Sequence, residues 1–244
     1  MRIKINPKQF QSEFIGPILD INKAGKTALF CEDSEIYTTF LADDGSSVSF
    51  YQRYIPLAIQ DPIQRVNVDL NKLSQGLNCI TSNPESIILV LEDKKIKYKD
   101  QAVHFEIRTL ENEMVPVAKF NPKKLEEYPN ILTSFELPPK IMQELKKADS
   151  FANDSLKFYL EKEGTQLYML FGDKQQKHLN TIKVLLKDNF EDEIPELIYN
   201  IAFLRAMFRI KNPLTLKVLD NGAIIFLTET QTTKAIYATT KLQK

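Results

Sequence analysis

The sequence predicts an α+β fold built twice in one chain, each copy an arrangement of antiparallel strands carrying two helices. Three observations lead there. The order strand, helix, strands, strand, helix, strands runs through residues 1–110 and again after residue 132, at an offset of roughly 130 residues. The strand-like runs are short and are joined by short polar turns, as hairpins are. Helical spacing of apolar residues occurs in four places, two in each half.

The repetition is legible residue by residue. Arg2-Ile3-Lys4-Ile5-Asn6-Pro7-Lys8, followed by Phe10 and Phe14, is matched by Phe135-Glu136-Leu137-Pro138-Pro139-Lys140, followed by Met142 and Leu145. Val66, Val68, Leu70, Leu73 and Leu77 are matched by Leu197, Tyr199, Ile201, Leu204 and Phe208. Ala102-Val103-His104-Phe105 is matched by Ala235-Ile236-Tyr237-Ala238. Identity is low, but six elements agreeing in order are far less accidental than two apolar helices would be.

In the first unit, residues 1–110, Arg2–Ile5 alternates as a short strand. Asn6 offers an N-cap oxygen and Pro7 suits the first helical position, where its missing donor costs nothing. Phe10, Phe14, Ile18 and Ile21 keep helical spacing, and Gly16-Pro17 should bend or interrupt that helix. Lys26–Cys31, Glu35–Leu41 and Ser47–Tyr54 read as strands, with Asp43-Asp44-Gly45 as a turn. Asp69 caps a helix from Leu70 to Ile80 that buries Leu73 and Leu77. Ile87–Leu91, Lys95–Tyr98 and Val103–Thr109 follow as strands. Residues 111–131 hold Pro116, Pro122 and Pro129, lack sustained periodicity, and form a connector.

In the second unit, residues 132–244, Pro138-Pro139 opens a helix carrying Ile141, Leu145 and Ala148. Ser155–Leu160, Gln166–Phe171 and Asn180–Leu186 are strands. Asn200 caps a helix through Ile201, Leu204 and Phe208. Leu214–Leu219, Ala223–Thr228 and Lys234–Thr240 complete the sheet.

Composition excludes several function classes. At 244 residues, 43% hydrophobic and 26% charged, the chain reads as a soluble globular protein long enough for two cores. No run approaches the ~18–20 apolar residues of a membrane span, and the N-terminus lacks a signal peptide's apolar core. With 32 basic and 32 acidic residues, nucleic acid cannot be held by an overall positive field, only by segregated charge. Seven glycines, with neither GxxxxGK[ST] nor GxGxxG, leave little material for a phosphate-cradling loop. Cys31 and Cys79 have no CxxC or Cys/His ligand spacing and read as free core thiols in a reducing compartment.

Each helix has one apolar and one polar stripe, so it packs on a sheet and exposes its other side. The outward candidates are Lys8, Gln11, Ser12 and Lys23, then Lys72, Gln75 and Asn78, then Lys140, Lys146 and Lys147, then Arg205, Arg209 and Lys211. These cations outnumber the helical acids Glu13, Asp20, Asp69, Glu144 and Asp149, so the rest of the chain is net acidic.

The duplicated unit and the proline-bearing connector resemble the DNA polymerase sliding clamps. So does the run Phe135-Glu136-Leu137-Pro138-Pro139-Lys140-Ile141-Met142 through Ser150-Phe151-Ala152-Asn153-Asp154-Ser155-Leu156-Lys157-Phe158. The nearer kind is the two-domain one, PCNA and the clamps of tailed phages, and the resemblance covers essentially the whole chain. It implies duplicated DNA-clamp domains, with antiparallel sheets outside and helices lining a ring of three subunits around duplex DNA. The ring would hold DNA topologically, without base-specific contacts. Lys8, Gln11, Lys72, Gln75, Asn78, Lys140, Lys146, Lys147, Arg205, Arg209 and Lys211 would then face DNA. The first-unit helices depart from the family, with Gln11, Ser12, Gln75 and Asn78 where basic residues are common.

The resemblance implies partners as well. DNA polymerase and other clamp-binding proteins would insert short peptides into a pocket of Tyr37, Phe40, Val115, Val117, Phe120, Pro213, Tyr237 and Ala238, and a clamp loader would open the ring. Ala238-Thr239-Thr240-Lys241 stands where many PCNA chains have Ala-Pro-Lys, which leans toward a viral clamp. Ring closure would pair the edges Gln101–Arg108 and Gln175–Thr181 of neighbouring subunits, with Val103, His104, Phe105, Lys177, His178 and Leu179 at the seam. The protein would act inside the cell at replication forks, in the host cytoplasm for a phage or the nucleus for a eukaryote, without a metal or cofactor.

Two rivals are weighed. An enzyme would need Asp43-Asp44 or Glu191-Asp192-Glu193 as metal carboxylates, but both sit in turn-like polar segments, and no nucleophile has an identifiable base. A clamp-like subunit of a hetero-oligomer, or a non-ring interaction module, depends on edges that sequence does not reveal.

Overall fold

A computed structural model describes residues 1–32, 34–41, 49–115, 122–174, 180–208, 210 and 212–242. Two compact units divide them. The first takes residues 1–41 and 49–115 together with Glu229–Ala235, and the second takes 122–228 and 236–242. Glu229–Ala235, expected in the second unit, belongs to the first because its polar groups are used there. The Ile55 N–H donates to the Thr232 carbonyl at 2.7 Å, and Arg53 meets Glu229 at 3.1 Å.

The first unit contains β1 (Arg2–Ile5), β2 (Lys26–Cys31), β3 (Ile36–Leu41), β4 (Ser49–Tyr54), β5 (Ala58–Gln60), β6 (Arg65–Asp69), β7 (Ile87–Glu92), β8 (Lys95–Lys99) and β9 (His104–Arg108). They run in the orders β5-β1-β7-β8-β9 and β4-β3-β2-β6. The second unit contains β10 (Ile131–Leu137), β11 (Lys157–Glu163), β12 (Gln166–Phe171), β13 (Ile182–Lys187), β14 (Leu197–Asn200), β15 (Leu214–Leu219) and, apart from the residues of Glu229–Ala235, β16 (Ile224–Glu229) and β17 (Thr233–Thr239). Its orders are β13-β12-β11-β14 and β10-β15-β16-β17. Strand for strand, β4-β3-β2-β6 repeats as β13-β12-β11-β14 and β1-β7-β8-β9 as β10-β15-β16-β17. The repetition seen in sequence is therefore a repetition of topology, with β5 the addition in the first copy.

The helices start where short polar side chains cap them. Asn6 and Asp69 accept from the Gln9 and Lys72 backbone N–H groups, and Asn200 accepts from Ala202. Pro139 sits in the first turn of α5 (Pro139–Phe151), while α3 is Leu70–Asn78 and α6 is Ile201–Met207. Matched core positions are buried in both copies: Val66 and Leu197, Val68 and Tyr199, Leu70 and Ile201, Leu73 and Leu204. Cys31 is buried, which pushes its thiol up to about 11, whereas Cys79, expected in the core, is exposed at the end of α3.

Gly16-Pro17 does not break the first helix. Helical residues run on as α1 (Pro7–Gln9), a π-helical stretch Phe10–Ile15, and α2 (Gly16–Ile21). The Gly16 N–H reaches back to the Gln11 carbonyl, a wide turn that absorbs the proline. Pro17 has no N–H to offer the Glu13 carbonyl four residues back. The side-chain amide of Gln52, 1% exposed on β4, donates to that carbonyl instead.

The connector is more ordered at its ends than its composition suggests. Asn112–Met114 forms a 3₁₀ turn and α4 (Pro122–Glu126) one helical turn, both too short to leave a period in the sequence. On the second unit's β13-β12-β11-β14 sheet, Glu161 is buried and held by Lys174 and by Lys183 at 2.7 Å. Burial alone would push this carboxyl up, but the two lysines outweigh it and hold it below its ordinary value of 4.5.

Two outcomes are expected. Gln52→Leu leaves the Glu13 carbonyl without a donor and should cost about 1–3 kcal/mol in urea unfolding, with an unchanged m-value. Because Glu161 is more acidic folded than unfolded, the stability that it adds is present above its unfolded value and disappears as pH falls through the folded one. Wild-type melting temperature should therefore fall more steeply than that of Glu161→Gln between about pH 5 and 3.

Candidate functional site

In each unit two helices lie side by side, and a polar clasp joins them. In the first, the Gln11 amide donates to the Ser74 carbonyl and hydroxyl at 3.1 and 3.2 Å and to Asn78 Oδ1 at 2.7 Å. Gln11 is accordingly half-buried, and its amide is engaged in the clasp. In the second, the Arg205 guanidinium grips the Asp149 carboxylate with contacts of 2.8 to 3.0 Å and approaches the Asn153 carbonyl at 3.4 Å. Much of the Arg205 charge is thus answered within its own unit.

The remaining polar faces are open. Lys8, Lys72, Gln75 and Asn78 are exposed in the first unit, and Lys140, Lys146 and Lys147 in the second. Arg209 and Lys211 lie outside the described residues. Four of the five helical acids are engaged: Glu13 by Gln9 and Thr232, Asp20 by Lys23 at 3.9 Å, Asp69 by the N-terminus of α3, and Asp149 by Arg205. Among the described residues, Lys8, Lys72, Lys140, Lys146 and Lys147 have no ion pair. These faces suit diffuse, sequence-independent attraction of phosphates.

A second feature lies on the β4-β3-β2-β6 strands. The register aligns Arg65, Phe30, Tyr37 and Arg53 in one row across four strands. Phe30 and Tyr37 are half-exposed and stacked, with centroids 5.2 Å apart. Burial, then the acids Glu32 and Glu35, push the Tyr37 hydroxyl up. Tyr37 and Phe40, expected in one pocket, project from opposite sides of β3, because they are three residues apart on a strand. Phe40 is 6% exposed and packs on Phe50, so it is core. Val115 is buried and its carbonyl accepts from Arg65 at 3.1 Å. In the second unit Pro213 is exposed while Tyr237 and Ala238 are buried. Val117 and Phe120 lie outside the described residues. Phe30 and Arg65 are additions that sequence reading missed, although strand alternation in Arg65-Val66-Asn67-Val68 already turns Arg65 away from the valines.

Two edges complete the description. β9 ends its sheet, with His104 exposed 3.8 Å from Glu106 and Val103 half-buried. Phe105 turns inward, its ring tilted against Tyr98 with centroids 5.5 Å apart and lying against Gly76, where a Cβ would come within 3.2 Å. Among the described residues, the second unit's sheet ends on β13, Ile182–Lys187, whose Lys183 and Ile182 pair with Leu170 and Phe171 of β12; most of the expected edge Gln175–Thr181 lies outside the described residues. Lys177, His178 and Leu179 lie outside the described residues. Glu191-Asp192-Glu193 is an exposed loop in which Glu193 pairs with Lys162. No helix among the described residues is long and apolar enough to cross a membrane.

No protein-family model matches this chain, and no curated protein matches it in sequence. Solved structures do match. PCNA of A. fulgidus bound to the C-terminal region of FEN-1 superposes with a TM-score of 0.76 at 9% identity, over 100% of this chain and 98% of that one. The PCNA2–PCNA3 complex of Sulfolobus tokodaii gives 0.72 at 12% identity, over 99% of both chains. The beta clamp of Helicobacter pylori bound to a DNA ligase peptide gives 0.64 at 13% identity, over 100% of this chain and 67% of that one. The duplicated topology and the two PCNA matches, which run nearly the full length of both chains, agree: the chain has the sliding-clamp fold in its two-domain, PCNA-like form.

Proposed function

We propose that this protein is a DNA sliding clamp, a non-enzymatic processivity factor that encircles duplex DNA and tethers the replicative polymerase and other DNA-processing enzymes. The carrying observation is the end-to-end match to PCNA structures together with unpaired lysines on the open helix faces. Three copies close head to tail, the free edge of β9 pairing with the free edge of β13 in the next copy. Lys8, Lys72, Lys140, Lys146 and Lys147 face the phosphates, with Gln75 and Asn78 as neutral contacts; Arg205 serves mainly the helix clasp. A clamp loader opens the ring. Partner peptides with hydrophobic anchors dock at the Phe30–Tyr37 pair beside Val115. A second reading, one subunit of a hetero-oligomeric ring, takes support from the similarity to a complex of two different chains, PCNA2 and PCNA3.

The solution mass should be three times 28.2 kDa; a monomer that assembles only with a second protein would favour the hetero-oligomer. Lys146→Glu with Lys147→Glu should shorten retention on nicked circular DNA at physiological salt without altering that mass, and unchanged retention would overturn the assignment. Tyr37→Ala should weaken binding of a FEN-1 C-terminal peptide by about tenfold or more, as removal of a central aromatic anchor does.

A further inference from the structure

The backbone from Leu110 to Val115 lies along the free edge of β6. Residues 111–114 are all exposed, so the strap's buried apolar surface comes from its two ends, half-buried Leu110 and buried Val115. A cavity of about 360 Å³ opens between the β7–β8 turn, Arg65 and Asn67 of β6, and Thr109–Asn112. Between those two ends, what holds the strap is polar. The Leu110 N–H donates to the Asn67 carbonyl at 2.9 Å, and Asn67 Nδ2 donates to the Leu110 carbonyl at 3.4 Å and to Asn112 Oδ1 at 2.8 Å. Asn67 Oδ1 accepts from Arg65 Nε at 2.9 Å, and another guanidinium nitrogen of Arg65 donates to the Val115 carbonyl at 3.1 Å. Asn67 is 5% exposed, so its amide has no water-facing alternative.

We propose that Arg65 and Asn67 are positioning residues for partner recognition: they fasten the Leu110–Val115 strap to β6, where Arg65 stands opposite Phe30, before any peptide arrives. The inference rests on the peptide-binding reading above. Arg65 is suited to the task because it is Phe30's cross-strand neighbour, so one guanidinium fixes the strap and borders the aromatic pair. A released strap would have to be ordered during binding, and affinity would fall by the fraction of time it is out of place.

The test uses the full-length chain and a fluorescein-labelled FEN-1 C-terminal peptide. Asn67→Ala and Arg65→Ala should each weaken binding about tenfold, mainly through slower association, and Arg65→Lys should recover only part of the loss. Amide exchange at Leu110 and Val115 should quicken by a similar factor while amides of β1 and β7 stay protected, and retention on circular DNA should not change. If Asn67→Ala does not fold, Asn67→Asp keeps the bond from Arg65 and removes the donors to Leu110 and Asn112. Faster exchange with unaltered peptide affinity would overturn the proposal, leaving the contacts purely structural. Failure of the wild-type chain to bind the peptide would overturn the peptide-binding reading itself, and this proposal with it.

Discussion

The constraint on which the structure depends is that each helix must bury one stripe on strands while its other stripe stays in water beside a second helix. Apolar contacts satisfy the first demand in both copies, through Leu70, Leu73 and Leu77 and through Ile201, Leu204 and Met207. The second demand cannot be met by more apolar residues without creating an exposed greasy seam. Each unit answers with polar atoms in the groove between its helices: an amide in one, a charged pair in the other. The solutions differ in chemistry because the two copies have diverged, but their place in the fold is the same.

The clasps decide how much charge the helix layer presents. An arginine gripping a carboxylate on the next helix cannot also serve a phosphate at full strength, and an amide bridging two helices offers little outward. The same economy applies to the acids, most of which are turned to caps and partners within their own unit. The exposed lysines Lys8, Lys72, Lys140, Lys146 and Lys147, which have no ion pair among the described residues, are consequently the cations that the open faces present, even though the chain as a whole is neutral.

Local chemistry was legible and distant chemistry was not. Asn6, Asp69 and Asn200 announced their helices because a cap acts within three residues. Lys26–Cys31, Gln166–Phe171 and Leu214–Leu219 were bounded correctly because alternation and turn residues are local signals. The π-helical turn was not, since the donor that sustains it comes from Gln52 on another strand. Arg205 read as a free cation because its carboxylate is 56 residues away. Phe40 was placed in the pocket by position in the resemblance, which does not say which side of a strand this chain covers.

The edges connect this chemistry to the proposed ring. Among the described residues, β9 and β13 each have one side without a strand partner, a situation that invites pairing with another molecule. β9 carries exposed His104, Glu106 and Arg108 on one face, which discourages sheet stacking but leaves the edge itself able to pair. Because β9 belongs to one unit and β13 to the other, mutual pairing between copies is heterologous, and such contacts either close into a ring or grow into a filament. In the proposed ring, closure pairs these two edges at once, and the proposed attachment to DNA is topological. Contacts with phosphate can then be weak, numerous and indifferent to sequence, which is what scattered lysines on a neutral chain provide.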